Sequence, residues 1–283
     1  MSVLYDVLNK IVLDAALEKV GVGERELALT HFHQLKKDDL VIYDRGYPGY
    51  DFIYEHVKAK VDYLIRAKLS YSSVVQAFVE SGKTSAVTEI YPGKNVPLTG
   101  KEYDRKTAIP VRLVRIRLPG GETEVLITSL LESRKHPVKI FKDLYFLRWG
   151  IETFYDELKN KLKVEHFTGY SAQSILQDFY CAVFISNIQS VIVNELQEEL
   201  EEQNQGKKYG YKINTNLSYG FLKNRILGLL FEGTTTEKVY QELKTLFLKN
   251  TVPIRNNRTN PRDTRKYKNR IRPKVAKNQK DAI

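Results

Sequence analysis

The chain has 283 residues, of which 42% are hydrophobic and 11% aromatic, and it carries a net charge of +11. That much apolar material excludes a chain disordered over most of its length and is enough to bury one large domain or two small ones. The single cysteine, Cys181, excludes an intrachain disulfide or a cysteine-based metal site, and no unbroken apolar run approaches the ~18 residues of a membrane span.

Taken in order, residues 3–17 (VLYDVLNKIVLDAAL) read as two extended runs around Asn9-Lys10, a hairpin, with a helix as the rival for the second run. Glu24 to Leu35 has helical spacing at Leu27, Ala28, Phe32 and Leu35, and His31 and His33 read as packing residues. Leu40 to Tyr43 is short, apolar and β-prone, a buried strand that stops at Asp44. The turn Arg45-Gly46-Tyr47-Pro48-Gly49 follows, then a helix over Tyr50 to Lys60 and a strand over Val61 to Arg66. A carboxylate at the C-terminal end of a buried strand is a usual site position in α/β folds, and equally a turn aspartate.

Residues 69–138 change character. Pro and Gly punctuate the segment, Val111 to Leu118 alternates apolar residues with Arg112, Arg115 and Arg117, and Pro119-Gly120-Gly121 turns into a strand at Glu124 to Ser129. The pattern predicts an antiparallel β insertion with one basic face, turned either to solvent or to phosphate.

The stretch Tyr145 to Lys159 carries two messages as a helix. Leu144, Leu147, Ile151, Phe154, Leu158 and Leu162 form an apolar stripe. Tyr145, Arg148, Glu152 and Lys159 line up within roughly 60° along its edge. An amphipathic surface helix with ordinary charge pairs gives this pattern, and so does a site at the rim of a core. Cys181 lies in the apolar run FYCAVFI and reads as a small core hydrophobe. Beyond it come a long apolar helix or two, a charged break at Leu196 to Lys208, and helical stretches at Tyr211 to Leu230 and Thr236 to Lys249. From Arg255 to Ile283, eleven Lys and Arg stand against Asp263 and Asp281, a net +9 that leaves +2 for the rest. A tail of that kind is expected to be disordered alone and points to a polyanionic partner. The start, MSVLYDVLNK, has neither a basic leader nor a long apolar segment, so the cytoplasm is the expectation.

Asp44, within DRGY, and the pattern Y-x2-R-x3-E-x6-K formed by Tyr145, Arg148, Glu152 and Lys159 resemble the DDE transposases of bacterial insertion sequences of the IS-four type. The resemblance runs from about Ser2 to Arg265 and includes KIN at 212–214 and PIRNNR…PR at 253–262. It implies an α/β, ribonuclease-H-like core in residues 1–68 and 139–195, with the β insertion at 69–138. A helical segment at 196–252 and the basic tail at 253–283 would follow. It implies three carboxylates holding two Mg²⁺ ions about 3.5–4 Å apart for in-line phosphoryl transfer, with Asp44 and Glu152 as the second and third. Tyr145, Arg148 and Lys159 would contact DNA phosphates, and Arg255, Arg258 and Arg262 would add basic contacts to transposon or target DNA. A homodimer on paired ends is part of the same implication. The family's first aspartate, in an Asp-Gly-Ser or Asp-Gly-Thr stretch ahead of the hairpin, has no match here, so the core is expected to be N-terminally incomplete. The alternative is a remnant that binds transposon ends without cutting them.

Overall fold

A computed structural model describes residues 1–118, 121–231, 233 and 236–255. They fall into two compact units, one of Met1–Val7 with Leu13–Glu152, the other of Leu8–Val12 with the described residues from Thr153 onward.

At the start of the chain, β1 (Ser2–Asp6) and β2 (Ile11–Ala16) form the two-stranded sheet that the Asn9-Lys10 turn predicts. The helix expected over Glu24 to Leu35 stops early: α1 spans Glu24–Thr30, and His31–Gln34 tighten into a 3-10 turn. His31 is buried and bridges Asp14 (2.8 Å) and Ser2 (3.0 Å). His33 does not pack; its side chain is exposed and its Nδ1 donates to the Thr30 carbonyl.

The main sheet has five strands in the order β3 (Leu40–Tyr43), β4 (Asp62–Ala67), β7 (Thr123–Thr128), β6 (Ile109–Arg117), β5 (Ser85–Ile90). β3 and β4 are parallel, joined through α2 (Tyr50–Ala59), and every other pairing is antiparallel. The antiparallel strands expected at 69–138 are present, but they continue the same sheet through the β4–β7 pairing, Leu64 opposite Thr128 and Arg66 opposite Leu126. The Ser-rich stretch before them forms α3 (Ser73–Glu80), whose first turn is capped by Ser72 Oγ accepting from Val75 N.

Strand alternation sends successive residues to opposite faces. Tyr63, Ile65, Leu113, Val125 and Ile127 face the core shared with α2 and α3. Leu64, Val114, Ile116 and Leu126 face Phe141 and Tyr145 of α4 (Phe141–Phe146). This alternation overturns the single basic face expected of β6. Residues 112 and 115 are an odd number apart and lie on opposite faces. Arg112 is 1% exposed; its guanidinium donates to Ser85 Oγ (2.8 Å) and to the carbonyls of His136 (2.7 Å) and Leu130 (3.3 Å), over the Phe141 ring. Arg115 donates to the Phe78 and Val79 carbonyls, satisfying the C-terminal end of α3. Arg117 alone is exposed.

In the second unit, α6 (Ala172–Glu195), α7 (Gln197–Gln203), α8 (Thr215–Lys223) and α10 (Thr236–Lys249) enclose Ile192, Leu196, Leu200, Leu222, Leu243 and Phe247. The charged stretch at 196–208, read as a break, is largely α7, whose single apolar inward residue is Leu200. The helix expected from Tyr211 begins only at Thr215, after β8 (Tyr211–Ile213), which pairs with β9 (Thr251–Pro253); α9 (Ile226–Phe231) completes the stretch. One correction falls on α6. Cys181 is exposed, because the buried stripe of this helix runs through Phe179, Ala182, Val183 and Ser186 and leaves position 181 outside it. By length and composition alone α6 could also cross a membrane, although polar residues interrupt it throughout. Its polar side chains are nonetheless used internally. Asn187 holds both backbone groups of Val12 at 2.8 Å, and Gln189 donates to Ser218 Oγ.

His56 sits buried on α2, with Nδ1 donating to the Phe52 carbonyl (2.8 Å) and Nε2 accepting from the Tyr43 hydroxyl (3.0 Å). Burial pulls its pKa down to about 4 against a partial pull upward from the Phe52 carbonyl. The unfolded chain takes up a proton near pH 6.5 that the fold refuses until about pH 4. Stability therefore falls across that window as pH drops, by about 3 kcal/mol from this group. Urea titrations between pH 7 and pH 4 should show the loss, and a His56→Gln variant, less stable at neutral pH, should show a shallower slope.

Candidate active site

Asp44 stands one residue beyond β3, where the strand's pairing with β4 ends at Tyr43–Ile65. Its Oδ1 accepts from Gly46 N at 2.7 Å, and its carbonyl accepts from Tyr47 N at 3.3 Å, an Asx turn that aims the carboxylate. A Cβ at position 46 would lie 3.1 Å from that Oδ1, so glycine lets the turn close. Asp44 Oδ2 has no hydrogen-bond partner among the described residues.

The helix expected from Tyr145 to Lys159 is two helices. α4 ends at Phe146, and α5 spans Trp149–Asn160. Between them Arg148 N donates to the Tyr145 carbonyl (3.1 Å) and Gly150 N to the Leu147 carbonyl (2.9 Å), a tighter i→i−3 winding. Gly150 explains why the chain bends there. A Cβ at this position would come within 2.3 Å of Val7 Cγ2, so the end of β1 approaches the backbone closely.

Three of the four signature residues still meet. Arg148 Nη1 donates to Glu152 Oε1 at 2.5 Å, and the guanidinium lies over the Tyr145 and Trp149 rings at 5.6 and 5.0 Å. Asp44 is near enough for its charge to act on the same guanidinium. Burial alone would lower the Arg148 pKa. The Glu152 hydrogen bond and the fields of Tyr145, Glu152 and Asp44 outweigh it and hold the pKa above its ordinary value. Arg148 Nε is buried without a hydrogen-bond partner among the described residues. Tyr145 is 6% exposed, packed beneath the sheet with Phe141, and its hydroxyl meets no partner at hydrogen-bond geometry. Burial raises its pKa, while the charges of Arg148 and then Arg66 pull the other way. Trp149 is half exposed.

Lys159 lies further along α5, paired with Glu165 at 3.2 Å. Arg255 is exposed just past β9; Arg258 and Arg262 lie outside the described residues. Reading the sequence missed Arg66, at the end of β4, and Glu124, at the start of β7, which pair at 2.8 Å beside Tyr145. Their signal was an acid and a base placed on inward-facing strand positions.

Asp44 and Glu152 suit a hard divalent cation. Mg²⁺ is commonly held by one or two carboxylates and completed by water and phosphate, and Glu152 Oε2, like Asp44 Oδ2, is unpartnered among the described residues. Among those residues no cluster of three His, Cys, Asp or Glu side chains is placed to hold an ion.

The fold and this site describe an α/β protein with two carboxylates and a guanidinium near the end of a parallel strand pair. Comparison with known proteins is specific: the profile of the transposase DDE domain matches residues 1–188, well over half of the chain, which belongs to that family. It is also 28% identical over 144 residues to a protein of Sinorhizobium fredii named "Putative transposase y4zB". That match covers 50% of this chain and 39% of the relative, so the chain spans well under half of the relative's length.

Glu152 is 44% exposed at its side chain, so its ion pair with Arg148 contributes only about 0.5 kcal/mol. Glu152→Gln should leave the urea midpoint almost unmoved. Arg148→Ala, which strips the guanidinium from two aromatic rings, should cost about 2 kcal/mol in the same titration.

Proposed function

We propose that this chain is a DDE transposase that cuts and joins transposon-end DNA by phosphoryl transfer, built on a ribonuclease-H-like core with residues 69–138 as its β insertion. The observation that carries this reading is the Arg148–Glu152 pair, with Asp44 near enough for its charge to act on the same guanidinium, at the end of a parallel strand pair. Asp44 and Glu152 would hold the divalent metal, normally Mg²⁺, as two of the family's carboxylates. When bound, the cation neutralises phosphate charge and activates the attacking hydroxyl for in-line displacement.

The chain's own residues then divide the remaining work. The Asx turn at Asp44 fixes one carboxylate before any ligand arrives. Arg148 would offer a planar fork to phosphate oxygens, and its exposed partner Glu152 would be one of the groups holding the metal. Tyr145, buried with its ring under the guanidinium, would back that fork. Lys159 and the exposed Arg255 extend the phosphate contacts, together with Arg258 and Arg262 in the basic tail. DNA is the substrate, the cytoplasm at the nucleoid is the place of action, and a homodimer would pair two ends.

A second reading, a protein that grips DNA ends without cutting them, draws on the same site. Among the described residues two carboxylates converge, not the three that a two-metal centre needs. Single-turnover cleavage of a duplex carrying the DNA ends that flank its gene, with Mg²⁺, separates the two. The enzyme reading expects specific nicking that Asp44→Asn and Glu152→Gln each abolish while DNA affinity persists. Undiminished binding with no nicking by the parent chain would establish the second.

The tail adds an independent expectation. Residues 255–283 carry a net +9, and each phosphate neutralised contributes about 0.9 to the slope of log K against log salt. Removing them should weaken binding about equally across sequences and flatten the slope by several units. Unchanged affinity at low salt would show that the tail takes no part.

A further inference from the structure

Beneath the Arg148 fork lies a buried acid that the chemistry proposed above does not use. Glu124 is 7% exposed and enters from β7 on the same sheet face as Leu126. Its Oε1 accepts from Arg66 Nη2 at 2.8 Å. Arg66, one strand away on β4, stands on the same sheet face as Leu64, against which Tyr145 packs, near enough for its charge to act on Tyr145, and Arg148 lies over the Tyr145 ring at 5.6 Å. Glu124, Arg66, Tyr145 and Arg148 thus run in series from the sheet to the candidate site.

We propose that Glu124 is a positioning residue for the Arg148 guanidinium, acting through Arg66 and Tyr145. Two guanidiniums share one tyrosine here. Left unpaired, Arg66 would repel Arg148 across the ring. Glu124 cancels the Arg66 charge and fixes its planar fork. The fixed fork beside Tyr145 leaves the ring as a stationary platform. Arg148 is then confined to the arc that reaches Glu152 and Asp44. The purpose of this placement, phosphate contact, rests on the transposase reading; the coupling itself does not.

The chain contains one tryptophan, Trp149, with the Arg148 guanidinium 5.0 Å from its ring. Its fluorescence therefore reports the position of Arg148 without DNA, metal or activity. The test is acrylamide quenching of Trp149 in the full chain and in Glu124→Gln, Arg66→Met and the double variant, with Phe247→Leu in the second unit as a control for general destabilisation. The expected result is a quenching constant changed about twofold in each single variant, with the double no larger than either, the non-additivity of groups acting in series. The control should match the parent.

Unchanged quenching in both single variants that still melt cooperatively would overturn the proposal, and so would additive changes in the double. Should Glu124→Gln fail to fold, Arg66→Lys and Tyr145→Phe decide: altered quenching in both supports the series, and parental quenching in both overturns it. Cleavage by the Asp44→Asn variant, by contrast, tests the transposase reading and leaves the quenching result untouched.

Discussion

The central constraint is a sheet covered on both faces. β4, β6 and β7 have helices or loops on each side, so almost every residue along them is removed from water. A charged side chain on such a strand has to be neutralised or hydrogen-bonded where it stands, because desolvating it costs several kcal/mol. The structure meets that demand in three ways. Arg112 gives its protons to a hydroxyl and two carbonyls, Arg115 caps a helix end, and Glu124 takes Arg66 as its partner. Thr128, also buried, donates to the Tyr63 carbonyl at 2.6 Å. Each bond ties an inner strand to a neighbouring element, so the interior is crossed by fixed polar links.

The candidate site uses the contrast between that interior and the surface. Tyr145 and most of Arg148 belong to the covered side, and Glu152 belongs to the open side. An ion pair with one buried and one exposed member is asymmetric. The guanidinium cannot readily move, while the carboxylate can exchange its partner at little cost.

Much of this was legible in the residues. The strand, turn and helix around Asp44 are specified locally, by an apolar run, an aspartate two residues before a glycine, and a Pro-Gly step. The sequence also placed Arg148 and Glu152 together, four residues apart. What escaped depended on distant partners. The break between α4 and α5 falls beside Gly150, whose bare backbone admits Val7 from some 140 residues earlier, and the apolar stripe continues through it. The arginines of β6 looked like a surface because their carbonyl partners, at residues 78, 79, 130 and 136, are invisible in a strand pattern. β8 and β9 are three residues each, too short to show an alternation, and exist because they pair. Cys181 was assigned by its apolar neighbours in sequence, whereas helical phase decided its exposure.

The Asx turn at Asp44 has a consequence for how this site can vary. The carboxylate is aimed by its own backbone, through a ring of atoms that closes only with a one-carbon side chain and an unhindered amide at position 46. Glutamate at 44 would keep the charge yet be too long to close that ring, and any side chain at 46 would crowd the oxygen that closes it. Positions 44 and 46 are therefore coupled: a side chain at 46 would push the Asp44 carboxylate by a few tenths of an ångström, and a longer acid at 44 would give up the bond to the Gly46 amide.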